Sequence, residues 1–236
     1  MLSRFGNFFF HYRDFLFPFA CLLIFLPGAP LFADPVHAVL CGYLIAGIGQ
    51  FVRGATIGLK YIIRGGKNRR VYAADLVTEG LYSHSRNPMY VGNLLILAGI
   101  AIASNSWTCV GIAVFLFLFI YVSIIAAEED FLYKKFGAEF DAYRRDVPRW
   151  LPRLRGLGAT LSSMEFHWRR VVVKEYGTPC GWIAGLAAIG LYNLWRDGRL
   201  HEGEPAVIVL ALVIAIAVVL WSTARLLKKT RVLVAD

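Results

Sequence analysis

The run from Trp107 to Ala127 contains no charged residue. A helix needs about 20 consecutive apolar residues to cross a bilayer. A helix that is apolar on every side has no polar face to turn toward water. This run therefore commits the chain to a membrane, and the rest of the sequence must be read around it. The wider composition agrees. Of 236 residues, 58% are hydrophobic and 17% charged, and the mean hydropathy is +0.56. Ordinary soluble domains are roughly 45–50% apolar.

Other runs have the same character. Phe15–Phe32 is uncharged, with Pro18, Pro27 and Pro30 expected to kink or shorten its helix. Those prolines, with Asp14 just before, favour a first span over a cleavable leader. Val36–Leu59 is expected as the second span, with Arg53 near one end. The preferred reading is an arginine that snorkels to the interface; the other is an arginine facing a polar cavity. Gly54 and Gly58 are spaced for close helix packing. Pro88–Ala103 follows as a third span. Asn105 and Ser106 mark a tight turn into Trp107–Ala127, the fourth span and antiparallel neighbour of the third. Cys180–Trp195 and Ala206–Leu227 complete six. Before the fifth span "SSMEFHWRRVVVKEY" reads as one interfacial helix, with Ser162 and Glu165 at capping-box spacing. The expected fold is an all-α polytopic membrane bundle of about six spans, with a cytoplasmic cofactor-binding segment after span four. Three stretches divide it: 1–75, 76–153 and 154–236.

The formal net charge is +9. The basic residues lie in the connections: Arg4 and Arg13, then Arg64, Lys67, Arg69 and Arg70, then the segment after Ala127, then Lys228, Lys229 and Arg231. That is the positive-inside pattern, not a nucleic-acid surface. It places both termini and both large polar segments in the cytoplasm. Cys21, Cys41, Cys109 and Cys180 stand alone in apolar surroundings, so neither a disulfide framework nor a metal site is implied.

Two polar motifs fall on that face. "YSHSRNPMYVG" ends one loop, with Asn87 and Pro88 suited to N-cap and first helical position. Glu128 and Glu129 follow span four. A hairpin joined on the far side must bring Arg86, Asn87 and Tyr90 near these two acids. The acids have two readings. The helix continues through them, with Asp130 and Lys134 as a solvated pair, or one of them binds a cationic or hydroxyl-bearing ligand. "YRRDVPRWLPR" adds Arg144, Arg145, Arg149 and Arg153, as a headgroup patch or a third wall.

"LVTEGLYSHSRNPMYVGNLLILAG", an apolar helix and "EEDFLYKKFGAEFDAYRRDVPRWLPR" together resemble the isoprenylcysteine carboxyl methyltransferase and phospholipid methyltransferase superfamily. The resemblance covers Leu76–Pro152. It implies S-adenosylmethionine held at the cytoplasmic helix ends, with a lipophilic acceptor entering from the lipid. It implies cofactor-binding roles for Tyr82, Arg86, Asn87, Pro88, Tyr90, Gly92, Glu128, Glu129 and Tyr143, with Phe136, Gly137, Arg149 and Pro152 also in the pattern. Asn87 stands where the family commonly has His, and Asn cannot titrate. Phe140 stands where it often has Tyr.

The chemistry needs few groups, since alignment of donor and nucleophile does most of the work. A carboxylate acceptor needs no base, and Arg149 or Arg86 could orient it. An amine must lose a proton, for which Glu128 or Glu129 is the candidate base. Partners are thus a lipophilic acceptor and membrane lipids, not nucleic acid; the sequence leaves oligomeric state open. Two other classes compete: a sterol-reductase-like enzyme using NADPH, and a non-catalytic scaffold or transporter subunit.

Overall fold

The structure is a computed structural model and describes residues 2–60, 71–201 and 204–234. The basic loop residues Arg64, Lys67, Arg69 and Arg70 lie outside it. The described residues form α1 (Leu2–Ala20), α2 (Pro35–Leu59), α3 (Pro88–Ala103), α4 (Trp107–Phe136), α5 (Ala138–Asp146), α6 (Leu157–Ser163), α7 (Trp168–Glu175), α8 (Gly177–Arg196) and α9 (Pro205–Lys229), with short 3-10 turns at Cys21–Phe25 and Gly80–Ser83.

Three helices are long and apolar enough to cross a membrane: α2, α4 and α9. A fourth span results if the bent pair Leu2–Arg13 and Phe15–Phe25 counts as one. The pair turns by 84°. Pro18 accounts for the place, because its ring removes one backbone donor and crowds the carbonyl four residues back, at the break. The expected six spans also include α3 and α8. At 16 residues, α3 rises about 24 Å, short of a roughly 30 Å hydrocarbon core. α8 is long enough but less apolar.

The centre of the molecule is the α2–α3 seam. A Cβ on Gly99 would lie 2.5 Å from the Gly42 carbonyl oxygen, and one on Gly49 would lie 2.6 Å from that of Gly92. Four glycines, seven residues apart on each helix, let two backbones touch where side chains would hold them apart. The expected pair Gly54 and Gly58 behaves differently: Gly58 receives the Phe166 ring, and Gly54 only approaches Val171. α4 packs on α3 and on α1, with Phe117, Ile120, Tyr121 and Ile124 in a shared core with Phe10. α8 packs on α2 and α3, where Tyr43 donates to the Ile183 carbonyl (2.8 Å) and Asn193 to that of Ala103 (2.7 Å). α9 leans on α8 and turns most of its apolar surface outward.

Several expectations are corrected. Arg53 does not snorkel. It is 7% exposed, and its guanidinium meets Glu175 of α7 in a bidentate pair at 2.7 and 3.0 Å. Breaking such a buried pair from one side costs about 3–5 kcal/mol. The stretch Ser162–Tyr176 is not one helix: it holds the last two residues of α6, the turn at 164–167 and then α7. Ser162 bonds the Ala159 carbonyl rather than joining a capping box with Glu165. α4 does not end at Ala127 but runs through both acids to Phe136, where Gly137 takes φ 52°. The Asp130–Lys134 pair is present at 2.7 Å.

Gly99→Ala should destabilise the protein by about 1–3 kcal/mol, the usual cost of overpacking. Gly111→Ala meets nothing within 4 Å and should shift stability by no more than about 1 kcal/mol, toward greater stability. Thermal unfolding in one detergent compares the two; equal effects would refute the seam as the point of closest packing.

Candidate functional site

The loop Tyr82–Asn87 and the segment Val147–Arg153 are tied together chiefly through backbone atoms. The Arg86 amide donates to the Pro148 carbonyl and the Arg153 amide to the His84 carbonyl, both at 2.9 Å. Side chains lock the same contact. Ser85 Oγ donates to the Trp150 carbonyl (2.9 Å), and Asn87 Nδ2 to the Arg149 carbonyl (3.0 Å). The His84 ring bridges the Arg153 carbonyl (2.6 Å) and the Thr160 hydroxyl (2.9 Å). The polar residues at this threshold are thus mostly a clasp. Asn87 occupies the N-cap position of α3 as expected, but its side chain makes no cap bond there. It is spent on the clasp instead.

The clasp holds Arg149 over Glu129. Arg149 Nε donates to Glu129 Oε1 at 3.1 Å, and its NH2 group reaches Oε2. Arg86 approaches the same carboxylate from the inner side at 3.4 Å. Glu129 is therefore held between two arginines. Burial draws the Arg86 guanidinium below its ordinary pKa, with Glu129 opposing that trend. Its Nε is buried without a hydrogen-bond partner. Glu128, on the next position of α4, accepts a hydrogen bond from the Tyr90 hydroxyl. The Tyr90 ring packs against Tyr121 at 5.2 Å between centroids.

These groups line a cavity of about 1130 Å³. Tyr82, Arg86, Asn87, Tyr90, Glu128, Glu129 and Tyr143 all face it. The structure thus brings together the two motifs as the hairpin argument requires. Three expected residues lie elsewhere. Pro88 is buried at the start of α3. Gly92 sits in the seam, with no room for a ligand between it and Gly49. Arg149 reaches Glu129 from outside the cavity and is nearly half exposed. The cavity also contains residues not anticipated there, Arg13, Asn93 and Tyr121 and the strip Val71–Val77, and it contains Arg53, as the second reading of that arginine has it. Lys135 anchors that strip by donating to the Ala74 carbonyl at 2.9 Å and to that of Ala73. Arg53 carried a signal in the sequence as a charge inside an apolar run. The strip carried none.

With both motifs placed, comparison with known proteins identifies the segment that builds the site. Residues 42–139 match the phospholipid methyltransferase family. The matched segment begins within α2, so the second helix belongs to the family region along with the hairpin, and it ends before the clasp segment. Two curated relatives are similar over part of their length. The nickel-cobalt-cadmium resistance protein NccN of Alcaligenes xylosoxydans xylosoxydans is 37% identical over 82 residues, 35% of this chain and 38% of its own. The cobalt-zinc-cadmium resistance protein CzcN of Cupriavidus metallidurans is 36% identical over 103 residues, 42% of this chain and 45% of its own. The chain thus spans less than half the length of either relative. No solved structure matches.

Tyr143 lies on one side of this cavity. Its hydroxyl donates to the Tyr82 carbonyl at 2.7 Å, and burial raises its pKa well above the usual tyrosine value. A raised folded-state pKa means stability that is complete below about pH 10 and is lost as pH rises beyond it. Tyr143→Phe should therefore flatten the loss of thermal stability between pH 10 and pH 11.5, at the cost of about 1 kcal/mol at neutral pH from the missing bond. An unchanged alkaline slope would show that Tyr143 does not contribute to it.

Proposed function

We propose that the protein is an integral-membrane methyltransferase that uses S-adenosylmethionine to methylate a lipophilic acceptor, an isoprenylcysteine-like carboxylate or a lipid amine. The observation that carries this reading is the cavity shared by the two motifs, built within and beside the segment that matches the phospholipid methyltransferase family. In this reading α3 and α8 complete six spans, and the basic connections put the site and both termini in the cytoplasm.

The donor set suits the cofactor. Carboxylates accept hydrogen bonds from ribose hydroxyls or an ammonium group, and a guanidinium donates to a carboxylate. Glu128 is the better placed acid, because it accepts from the neutral Tyr90 hydroxyl, whereas Glu129 is occupied by two guanidinium groups, Arg86 and Arg149. The unpartnered Arg86 Nε offers a donor on the same wall. The volume exceeds what one small ligand needs, since ligand pockets run about 300–1,000 Å³. It leaves room for the polar end of an acceptor.

When bound, S-adenosylmethionine supplies a methyl group already activated by its sulfonium. The chain's own residues bind, orient and exclude water. Tyr90 fixes the rotamer of Glu128, and the clasp holds Arg149 across Glu129 at the mouth. A carboxylate acceptor would need only an arginine to orient it. An amine acceptor would pass its proton to Glu128. The relatives' names refer to metal resistance. Among the described residues no three His, Cys, Asp or Glu side chains gather as metal ligands. If this chain shares that role, methylation of a membrane component is the route its site offers.

S-adenosylmethionine at 100 times its Kd should stabilise the detergent-solubilised protein by about 2.7 kcal/mol. Glu128→Ala should remove most of that gain, and NADPH should give none. A thermal shift with NADPH and none with S-adenosylmethionine would favour a reductase instead.

A further inference from the structure

The stretch after Arg153 lies beyond the segment that carries the family resemblance. The structure ties it to the cavity wall through one side chain. Arg53 lines the cavity together with Asn93. Its Nε and NH2 groups are held by Glu175 of α7 at 3.0 and 2.7 Å, and its NH1 group by Asn93 of α3. Gln50 donates to the same Glu175 carboxylate (3.3 Å) and accepts from Trp182 of α8 (3.1 Å). The arginine reaches this place by crossing Gly92: a Cβ there would lie 2.6 Å from Arg53 Cγ. Two helices, α3 and α7, thus hold the guanidinium that α2 carries, and α8 joins them through Gln50. Glu175 is 2% exposed and Arg53 7%. A buried ionic pair contributes little net stability compared with apolar packing, so stability alone does not explain it.

We infer that Arg53 is a substrate-binding residue for the acceptor and that Glu175 is its positioning residue. This rests on the methyltransferase reading above. An arginine carries five N–H donors. Three are used by Glu175 and Asn93, which leaves two without a partner among the described residues, on a side chain that lines the cavity. Glu175 cancels the charge and fixes the plane of the fork, so the site presents directed donors in place of a free cation. Such a fork takes an oxygen of the acceptor's polar head. Carboxylate and phosphate share that chemistry. Arg53 lies inside the apolar run Val36–Leu59, whereas Arg86 precedes α3 and Glu129 follows the uncharged run Trp107–Ala127. The deeper position suits an acceptor that remains anchored in lipid, and the outer position suits the soluble cofactor.

The test uses the full chain in detergent and compares wild type with Arg53→Lys and Glu175→Gln. Two acceptors are offered: an S-farnesylcysteine carboxylate in micelles and phosphatidylethanolamine in vesicles. The acceptor that wild type methylates identifies the oxygen. For that acceptor, both variants should raise KM by about tenfold or more with kcat changed much less, while the thermal shift caused by S-adenosylmethionine stays at the wild-type size. An acceptor KM within twofold of wild type in both variants overturns the inference and leaves the methyltransferase reading standing. So does a parallel loss of the cofactor shift, which would mark a merely structural pair. A wild-type protein that shows no cofactor shift and methylates neither acceptor overturns both.

Discussion

The contact on which the rest of this structure depends is the bare backbone approach of α2 to α3. Gly42 faces Gly99 and Gly49 faces Gly92 with no side chain between them. In lipid, helices gain little from hydrophobic exclusion and associate through close packing instead. The polar groups of the cavity are arranged around one end of that seam. Arg53 crosses at Gly92, α7 and α8 follow to meet it, and the start of α3 is fixed where the clasp closes.

A second constraint acts at the membrane threshold. Loops leaving a bilayer bring backbone groups that must find partners. Here His84, Ser85 and Asn87 satisfy the carbonyls of residues 149–153. The same bonds place Arg149 against Glu129. Structural need and site geometry are met by one set of hydrogen bonds, which is why side chains that look functional in the sequence are partly architectural.

Much of this was legible from the residues. The uncharged run at Trp107 fixed the class of protein, and the Asn105–Ser106 turn placed Arg86 and Tyr90 beside the two acids. Arg53 was flagged for the right reason, as a charge in an apolar run, yet its partner could not be read. Glu175 is 122 residues away and looks like an ordinary polar residue in a basic stretch. Hydrophobic periodicity reports which face is buried, not which distant side chain meets it. The resemblance gives Gly92 a cofactor-binding role, whereas the residue makes room for the α2 backbone and for Arg53; a glycine in a motif says that something comes close, without saying what. The break at 164–167 inside the expected helix Ser162–Tyr176 is not legible because Ser162 and Glu165 fit a cap that the chain does not form. The strip at Val71–Val77 enters the cavity through backbone held by Lys135, and backbone contacts leave no trace in side-chain patterns.

The central claim is that the cavity between the two motifs is a place of methyl transfer. The most direct measurement supplies S-adenosylmethionine labelled in its methyl group to the purified protein in a membrane lipid extract and follows the label. The account predicts label in a lipid-soluble product, absent when Glu128 is replaced by alanine. Label that stays with the cofactor throughout, under conditions where the protein is folded and binds it, would contradict the account.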